Sequence, residues 1–84
     1  MAKEEFSDLY RQTKITSVQP AMGIVQVLDP FGTPNHSDLL INEVIDCGYP
    51  LEVGTVIWVA RNKDIPYPKE IVSKQDIEII KNRF

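Results

Sequence analysis

Two side chains in this sequence could take part in nucleophilic or metal chemistry: the single histidine, His36, and the single cysteine, Cys47. A catalytic thiol needs a base such as histidine within hydrogen-bond reach, and the spacing between the two neither supports nor excludes such a contact. His36 and Asp38 supply two ligands where zinc takes three or four protein ligands. We therefore expect His36 to be an exposed loop residue and Cys47 to act as a small, half-buried hydrophobic residue.

Other reaction machinery is not visible in the sequence. The four glycines are isolated, and none forms the G-x-G pair of a phosphate-binding loop. The carboxylates are scattered singly along the chain, so the sequence shows no pair of carboxylates that could act as acid and base in hydrolysis. The sequence therefore predicts a protein that is not an enzyme and that carries no metal and no cofactor.

Length and composition indicate one small soluble domain. The 84 residues include 43% apolar and 25% charged side chains and carry a net charge of −3, so a partner bound through phosphates or an anionic membrane is disfavoured. The longest apolar run, residues 56–60, is far shorter than the roughly 20 residues of a membrane-spanning helix, and the start lacks a secretory signal pattern. We expect a reducing cytoplasm and, because so short a chain has little margin of stability, oligomerisation.

Residues 1–13 are predicted to form an amphipathic arm or short helix ahead of a barrel domain at 14–84. Phe6, Leu9 and Tyr10 are spaced at i, i+3 and i+4, which places them on one helical face. A helix of about ten residues is marginal alone in water, so this face must dock. It packs on its own domain or reaches a neighbouring subunit, and the sequence leaves both alternatives open.

Short strand signals follow at intervals of about ten residues. Residues 14–18 and 24–28 flank a turn that contains Gly23, which predicts a hairpin. A third strand is predicted over 39–45 with a bend at its centre, and residues 53–60 carry the strongest strand signal. The spacing is typical of an all-β fold: a small five-stranded barrel, OB-like or SH3-like, with short helical segments at the termini.

The last segment admits two interpretations. After a short strand at 71–72, Ser73 and Asp76 form an N-cap pattern that predicts a helical turn through residues 77–80. A closing strand over the same residues is the alternative. Either way the segment closes the domain.

The candidate core comes from the two most apolar strands, because strands that are apolar on both faces are buried on both. Its predicted members are Ile24, Val25, Val27, Val56, Trp58 and Val59. A site for single-stranded nucleic acid would need aromatic side chains among basic ones. Such a mixture occurs only at residues 61–69, where Asp64 dilutes it.

Three segments resemble the OB-fold domains of phage baseplate hubs and tail spikes. Residues 14–27 (KITSVQPAMGIVQV) resemble their opening hairpin, in which a V-x-P-x-x-G turn joins two strands. Residues 50–59 (PLEVGTVIWV) resemble their P-x-x-G-(D/T)-x-V-x-V strand. Residues 62–68 (NKDIPYP) resemble the turn that follows, with Lys63 at the place of the usual glycine.

This resemblance implies a non-enzymatic structural protein of a virion tail or baseplate, assembled in the host cytoplasm. Its barrel would form a symmetric ring or collar, and its partners would be further copies, as a trimer or higher ring, and neighbouring virion proteins. The terminal segments and the loops 31–38 and 61–68 would make the contacts. The predicted interface residues are Phe6, Leu9, Tyr10, Phe31, Tyr67, Ile80 and Phe84.

Two alternative functions are left open. An OB-type barrel can bind single-stranded nucleic acid. In addition, residues 53–57 and 70–80 resemble the C-terminal half of small ring-forming co-chaperonins, which have a V-G-D-x-V strand and a similar ending. The first strand and the chaperonin-binding loop of that family have no counterpart in this sequence.

Overall fold

The computed structural model of this protein describes residues 2–32, 36–62, 68 and 70–83. These residues contain three α-helices, five strands and one 3-10 turn, joined by turns and loops. The elements are α1 (Ala2–Leu9), β1 (Tyr10–Gln19), the 3-10 turn (Pro20–Met22), β2 (Ile24–Leu28), β3 (His36–Leu40), α2 (Ile41–Asp46), β4 (Val56–Ala60), β5 (Glu70–Val72) and α3 (Lys74–Lys81). The predicted class, a five-stranded β fold with short helices at its ends, is confirmed.

The five strands form one antiparallel sheet in the order β3-β2-β1-β4-β5. β1 is the central strand: its first half pairs with β4 and its second half with β2. β4 therefore returns beside β1 after the β1–β2–β3 meander, which is a Greek-key connection. A bulge between Ile15 and Ser17 increases the local bend of β1 where the two ladders meet. The sheet consequently curls into a half-barrel with β3 and β5 at its edges.

The inner face of the curled sheet holds the main core. Alternate strand residues point inward, and α2 and two loop aromatics complete the packing. The buried members are Ile15, Val25, Val27, Phe31, Leu39, Val44, Tyr49, Ile57 and Val59.

A second, smaller cluster lies on the outer face of β4 and β5, beneath α1 and α3. Its buried members are Ala60, Val72 and Ile77, and partly buried Phe6, Tyr10, Trp58 and Ile80 pack against it. Because side chains alternate along β4, Ile57 and Val59 face the main core whereas Trp58 faces the second cluster. Burial on both faces explains why this strand carries the strongest apolar signal in the sequence.

α1 packs on its own domain, which is one of the two alternatives for the N-terminal segment. The Nε atoms of Arg11 and Arg61 donate to the carbonyl oxygens of Ser7 and Asp8 at 2.6 and 2.7 Å. The backbone N–H of Arg61 donates to Leu9 at 2.9 Å. The last carbonyls of a helix have no intrahelical partner, so two arginines satisfy this helix end and favour its dipole.

Two element assignments from the sequence are wrong. The segment predicted as a bent third strand ends as a strand at Leu40 and continues as α2, because Ile41 and Val44, three residues apart, both turn toward the main core. The strand predicted to begin at residue 53 begins at Val56, after a turn in which Gly54 adopts a φ of 93°. A left-handed φ favours glycine and ends the extended run.

The structure also defines the first strand and the last helix, whose start or type the sequence had left different or open. β1 begins at Tyr10 rather than at residue 14, because residues 10–14 pair with β4. The C-terminal segment is the helix α3, not a closing strand. Its N-cap is Ser73, whose hydroxyl accepts the backbone N–H of Asp76 at 3.1 Å.

The predicted core residues divide by strand face. Val25, Val27 and Val59 are fully buried on the inner face. Ile24 and Trp58 are half-buried on the outer face. Val56 is 40% exposed, and its assignment to the core is wrong: it begins β4 on the outer face, where side chains are less covered than on the inner face.

Candidate functional site

An uncovered aliphatic surface lies on the outer side of the β2–β3 pair. Ile24 is opposite Leu40, and Leu28 is opposite His36, in the β2–β3 register. Leu28 and Leu40 expose 51% and 54% of their surface. Between the two pairs, the side-chain amide of Gln26 donates to Asp38 at 3.4 Å. We call Ile24, Leu28 and Leu40 the aliphatic face.

A groove of about 610 Å³ runs between α3 and the outer face of β1 and β4. Apolar residues line it together with two lysines of α3, and we call it the α3 groove. Its lining includes Gln12, Tyr49, Pro50, Thr55, Val56, Trp58, Lys74, Ile77, Glu78 and Lys81. The groove therefore combines apolar residues with three charged side chains of α3, two lysines and one glutamate.

Both lysines of the α3 groove lie over aromatic rings. The Lys81 ammonium lies 4.9 Å from the centroid of Trp58, and that of Lys74 lies 5.8 Å from the centroid of Tyr49. Lys81 also approaches Glu78 at 3.7 Å. Such cation–π contacts contribute about 0.5–1 kcal/mol at exposed sites, and they position the two positive charges along the groove.

Tyr49 is the most buried polar side chain at this groove, with 4% of its surface exposed. Its hydroxyl donates to the carbonyl oxygen of Val72 at 2.5 Å and accepts the backbone N–H of Trp58 at 3.2 Å. Burial, which disfavours the phenolate, raises the pKa of Tyr49, and the hydrogen bond from Trp58 opposes part of that rise. The phenol therefore stays protonated well into the alkaline range and serves as a structural bridge.

α2 carries exposed residues of two kinds. Ile45 exposes 53% of its surface. The carboxylates of Glu43 and Asp46 are exposed as well, and they line a shallow pocket of about 270 Å³ together with Cys47, Glu70 and Ile71. Cys47 follows directly, half-buried, with its Sγ 3.8 Å from the carbonyl oxygen of Ile71.

The thiol of Cys47 is held in its protonated form. Burial raises its pKa, and the carboxylates of Asp46, Asp76 and Glu43 raise it further by repelling the thiolate. A nucleophilic cysteine needs the opposite environment, with nearby positive charge and a lowered pKa. Cys47 is thus half-buried, as the sequence suggested, in surroundings that suit a packing residue.

The two candidate chemical residues occupy different elements. His36 is exposed and begins β3, a strand rather than the loop expected for it, opposite Leu28. Cys47 contacts β5. In the part of the chain that the structure describes, no group of three or more His, Cys, Asp or Glu side chains could hold a metal ion.

The predicted interface residues have several different environments. Phe6, Tyr10 and Ile80 are partly buried against the second cluster, and Leu9 is half-buried. Phe31 is 9% exposed and belongs to the main core, so its assignment to a loop contact surface is wrong. The guanidinium carbons of Arg11 and Arg61 lie over its ring at 5.3 and 4.6 Å. Tyr67 and Phe84 lie outside the described residues.

Sequence reasoning missed the exposed aliphatic residues and the groove lysines. The alternation of β2 contained a signal for Leu28, because Val25 and Val27 face inward and their neighbours must face outward. For Ile45, Lys74 and Lys81 the one-dimensional pattern contained no such signal. Whether these three side chains are exposed depends on which faces of α2 and α3 pack against the sheet.

Comparisons of this chain with protein-family models, with curated proteins and with solved structures find no match. Within residues 2–32, 36–62 and 70–83, no helix is long and apolar enough to span a membrane.

Proposed function

We propose that this chain is a non-enzymatic assembly subunit of a virion tail or baseplate, in which a small barrel contributes shape and contact surface to a symmetric ring or collar. The observation that carries the proposal is the aliphatic face. Leu28 and Leu40 leave half of their surface in water on the same side of β2 and β3. A subunit contact on this face would remove that apolar surface from water, which is favourable.

The strand order supports the proposal. A Greek-key sheet of five strands is the arrangement of an OB-type barrel, the fold that the hub and tail-spike resemblance implies. The sheet leaves β3 and β5 as edges, and exposed edges favour pairing with other chains unless they are covered. A chain of 84 residues gains stability when assembly buries such surface.

The chemistry of the aliphatic face favours a protein partner over single-stranded nucleic acid. OB-type barrels bind oligonucleotides on the face of strands 2 and 3, using aromatic side chains that stack on bases and basic ones that meet phosphates. On this chain the outward residues of these strands are Ile24, Gln26, Leu28, His36, Asp38 and Leu40. Aliphatic side chains offer no ring for bases to stack on, and the carboxylate of Asp38 repels phosphates, so this face disfavours a nucleic-acid strand.

Light scattering of the purified chain at physiological and at high salt tests the proposal. We expect an oligomer that persists at high salt, because an apolar contact tolerates salt whereas phosphate binding weakens steeply. Leu40→Lys should reduce the oligomeric mass. Val53→Lys, at a turn residue that is 68% exposed, is the matched control and should leave the mass unchanged.

One result would overturn the proposal. A monodisperse monomer that retards single-stranded DNA at physiological salt would identify the chain as a nucleic-acid-binding protein. The same measurements on Leu40→Lys would then show an unaltered monomer mass, and the lysine added to the β2–β3 face would strengthen DNA retardation.

A further inference from the structure

We infer that the edge of β3 that faces away from β2 pairs with the same edge of a second copy, as two antiparallel strands related by a two-fold axis. We call this side of β3 the free edge. The inference rests on the proposed function, since it specifies one subunit contact of the proposed assembly. The contact lies at the border of the sheet, so the aliphatic face beside it stays available to other subunits.

The hydrogen-bond pattern of the β2–β3 ladder shows which backbone groups of β3 point to the free edge. The backbone N–H of Ile41 donates to the carbonyl oxygen of Gly23 at 3.0 Å, one step beyond the pair formed by Ile24 and Leu40. Bonded and non-bonded pairs alternate along an antiparallel ladder, so every second pair from Ile24–Leu40 onward is non-bonded. The residues of β3 in non-bonded pairs, whose N–H and C=O groups point away from β2, are His36, Asp38 and Leu40.

Two threonines of β1 confirm this direction. The hydroxyl of Thr16 donates to the carbonyl oxygen of Gln26 at 3.1 Å, and that of Thr13 donates to Leu28 at 2.5 Å. These β2 carbonyls therefore point toward β1 and not toward β3. The carbonyl of Leu40 belongs to the N-cap of α2, where it begins the helix. Among the described residues β2 is the only strand that pairs with β3, so the remaining outward groups have no strand partner there.

The opposite edge of the sheet, β5, is covered. The Tyr49 hydroxyl bridges the N–H of Trp58 and the carbonyl of Val72, so Val72 points toward β4. Its neighbour Ile71 therefore points outward, and the Ile71 carbonyl lies 3.8 Å from the Sγ of Cys47. Short and covered edge strands are less prone to pair with another chain. The longer β3 is thus the edge that can accept a further strand.

The side chains of β3 select one register of two-fold pairing. Only His36, Asp38 and Leu40 offer outward backbone groups, so each bonded pair must join two of these positions. A register centred on Asp38 places two carboxylates opposite each other, which is destabilising, and one centred on Leu39 places Asp38 opposite Leu40. A register centred on Ser37 places His36 of each copy opposite Asp38 of the other. Each of these two bonded pairs then exchanges two backbone hydrogen bonds.

This self-complementarity identifies a second copy as the partner. A two-fold contact requires a surface that fits itself, and an imidazole donor two residues from a carboxylate meets this requirement in antiparallel pairing. Both side chains are exposed, and His36 and Asp38 are the only ionisable ones among the six outward residues of β2 and β3. The amide of Gln26 donates to Oδ1 of Asp38 at 3.4 Å, which leaves Oδ2 for the imidazole of the second copy.

An engineered disulfide on the full-length chain tests the register. In the proposed pairing the two Ser37 residues form a non-bonded pair, whose Cα atoms lie about 4.5 Å apart, within reach of a disulfide. Ser37→Cys, made together with Cys47→Ala so that one thiol remains, should give a covalent dimer under mild oxidation. Val53→Cys in the same background is the matched control at an exposed turn residue, and it should give far less covalent dimer.

Charge changes at the free edge test the partner. His36→Asp places carboxylates opposite each other in both pairs, and Asp38→Lys places ammonium groups opposite the imidazoles. Each variant alone should weaken self-association at least about fivefold in sedimentation, since two cross-strand pairs change from favourable to unfavourable. An equimolar mixture of the two variants restores opposite charges at both pairs, so it should form a mixed dimer with near wild-type affinity.

A proline tests the use of the backbone. Asp38→Ala removes the carboxylate, whereas Asp38→Pro removes the carboxylate and the outward N–H. Proline is tolerated in an edge strand where the N–H faces solvent, and circular dichroism would verify that both variants are folded. Asp38→Pro should associate more weakly than Asp38→Ala, because only the proline variant loses backbone hydrogen bonds between the copies.

The outcomes distinguish the inference from the proposed function. A wild-type oligomer that persists in His36→Asp and forms no disulfide in the Ser37→Cys variant, but dissociates in Leu40→Lys, overturns the edge pairing and leaves the assembly role intact. Equal association of folded Asp38→Pro and Asp38→Ala likewise overturns the edge pairing alone. A wild type that is monomeric at every concentration overturns both.

Discussion

The hydroxyl of Tyr49 accepts a hydrogen bond from the backbone N–H of Trp58 at 3.2 Å. The same oxygen donates to the carbonyl of Val72 at 2.5 Å. Tyr49 belongs to the main core, whereas Trp58 and Val72 belong to the second cluster. One side chain therefore joins the two apolar clusters and fastens the segment after α2 to β4 and β5.

Tyr49→Phe should lower the free energy of unfolding by about 1–3 kcal/mol. The substitution keeps the ring but leaves the Trp58 N–H and the Val72 carbonyl without the bridging hydroxyl, and buried polar groups lose about this much when a partner is removed. Urea unfolding followed by circular dichroism measures the change. An unchanged midpoint would show that the hydroxyl contributes nothing to the joint between the clusters.

Alkaline pH should destabilise the wild type more than it destabilises Tyr49→Phe. Burial raises the pKa of Tyr49 in the folded state, so the folded protein retains a proton that the unfolded chain releases near pH 10. The stability from this group is fully present below about pH 10 and is lost as the pH rises through the folded-state pKa. Urea midpoints measured across this range should fall more steeply for the wild type. Equal slopes would contradict the raised pKa.

Alkylation of Cys47 by iodoacetamide should begin at a higher pH in the folded protein than in urea. Burial and then the charge of Asp46 raise the thiol pKa in the folded state, and only the thiolate reacts. The pH profile of the native rate should move down in Asp46→Asn, because one repelling carboxylate is removed. A native profile that coincides with the urea profile would exclude this environment.

Arg61→Ala should destabilise the docking of α1 by about 1–2 kcal/mol. The guanidinium donates to the Asp8 carbonyl at 2.7 Å and lies 4.6 Å from the Phe31 ring centroid, and each contact has a magnitude near 1 kcal/mol. Arg83→Ala removes an exposed arginine that follows α3 and should change stability by less than about 0.5 kcal/mol. Hydrogen exchange of the α1 amides would report the difference. Equal protection in both variants would refute the role of Arg61.

Two neighbours on β4 should respond very differently to truncation. Ile57→Ala should cost about 2–5 kcal/mol, because the residue is fully buried in the main core. Val56→Ala should cost under about 1 kcal/mol, because Val56 is 40% exposed. Thermal unfolding of both variants measures the contrast. Similar losses would mean that the inward and outward faces of β4 are misassigned.

The local sequence pattern was sufficient to predict the elements that depend only on residues close together in the chain. The apolar, β-branched run at residues 24–28 predicted β2, and the N-cap pattern of Ser73 and Asp76 favoured α3. These predictions succeeded because side-chain periodicity and capping act over a few residues. The hairpin turn at Gly23, with a φ of 71°, was equally local.

Tertiary contacts decided what the local pattern left ambiguous. Residues 41–46 are apolar enough for a strand, yet they form α2 because Val44 is buried in the main core in that conformation. Val56 has the composition of a core residue, yet it is exposed because it faces outward at the start of β4. The α3 groove likewise combines residues distant in sequence, from Gln12 to Lys81. Sequence alone determined where the chain extends and turns, whereas packing determined which faces were covered, because burial depends on neighbours that folding brings together.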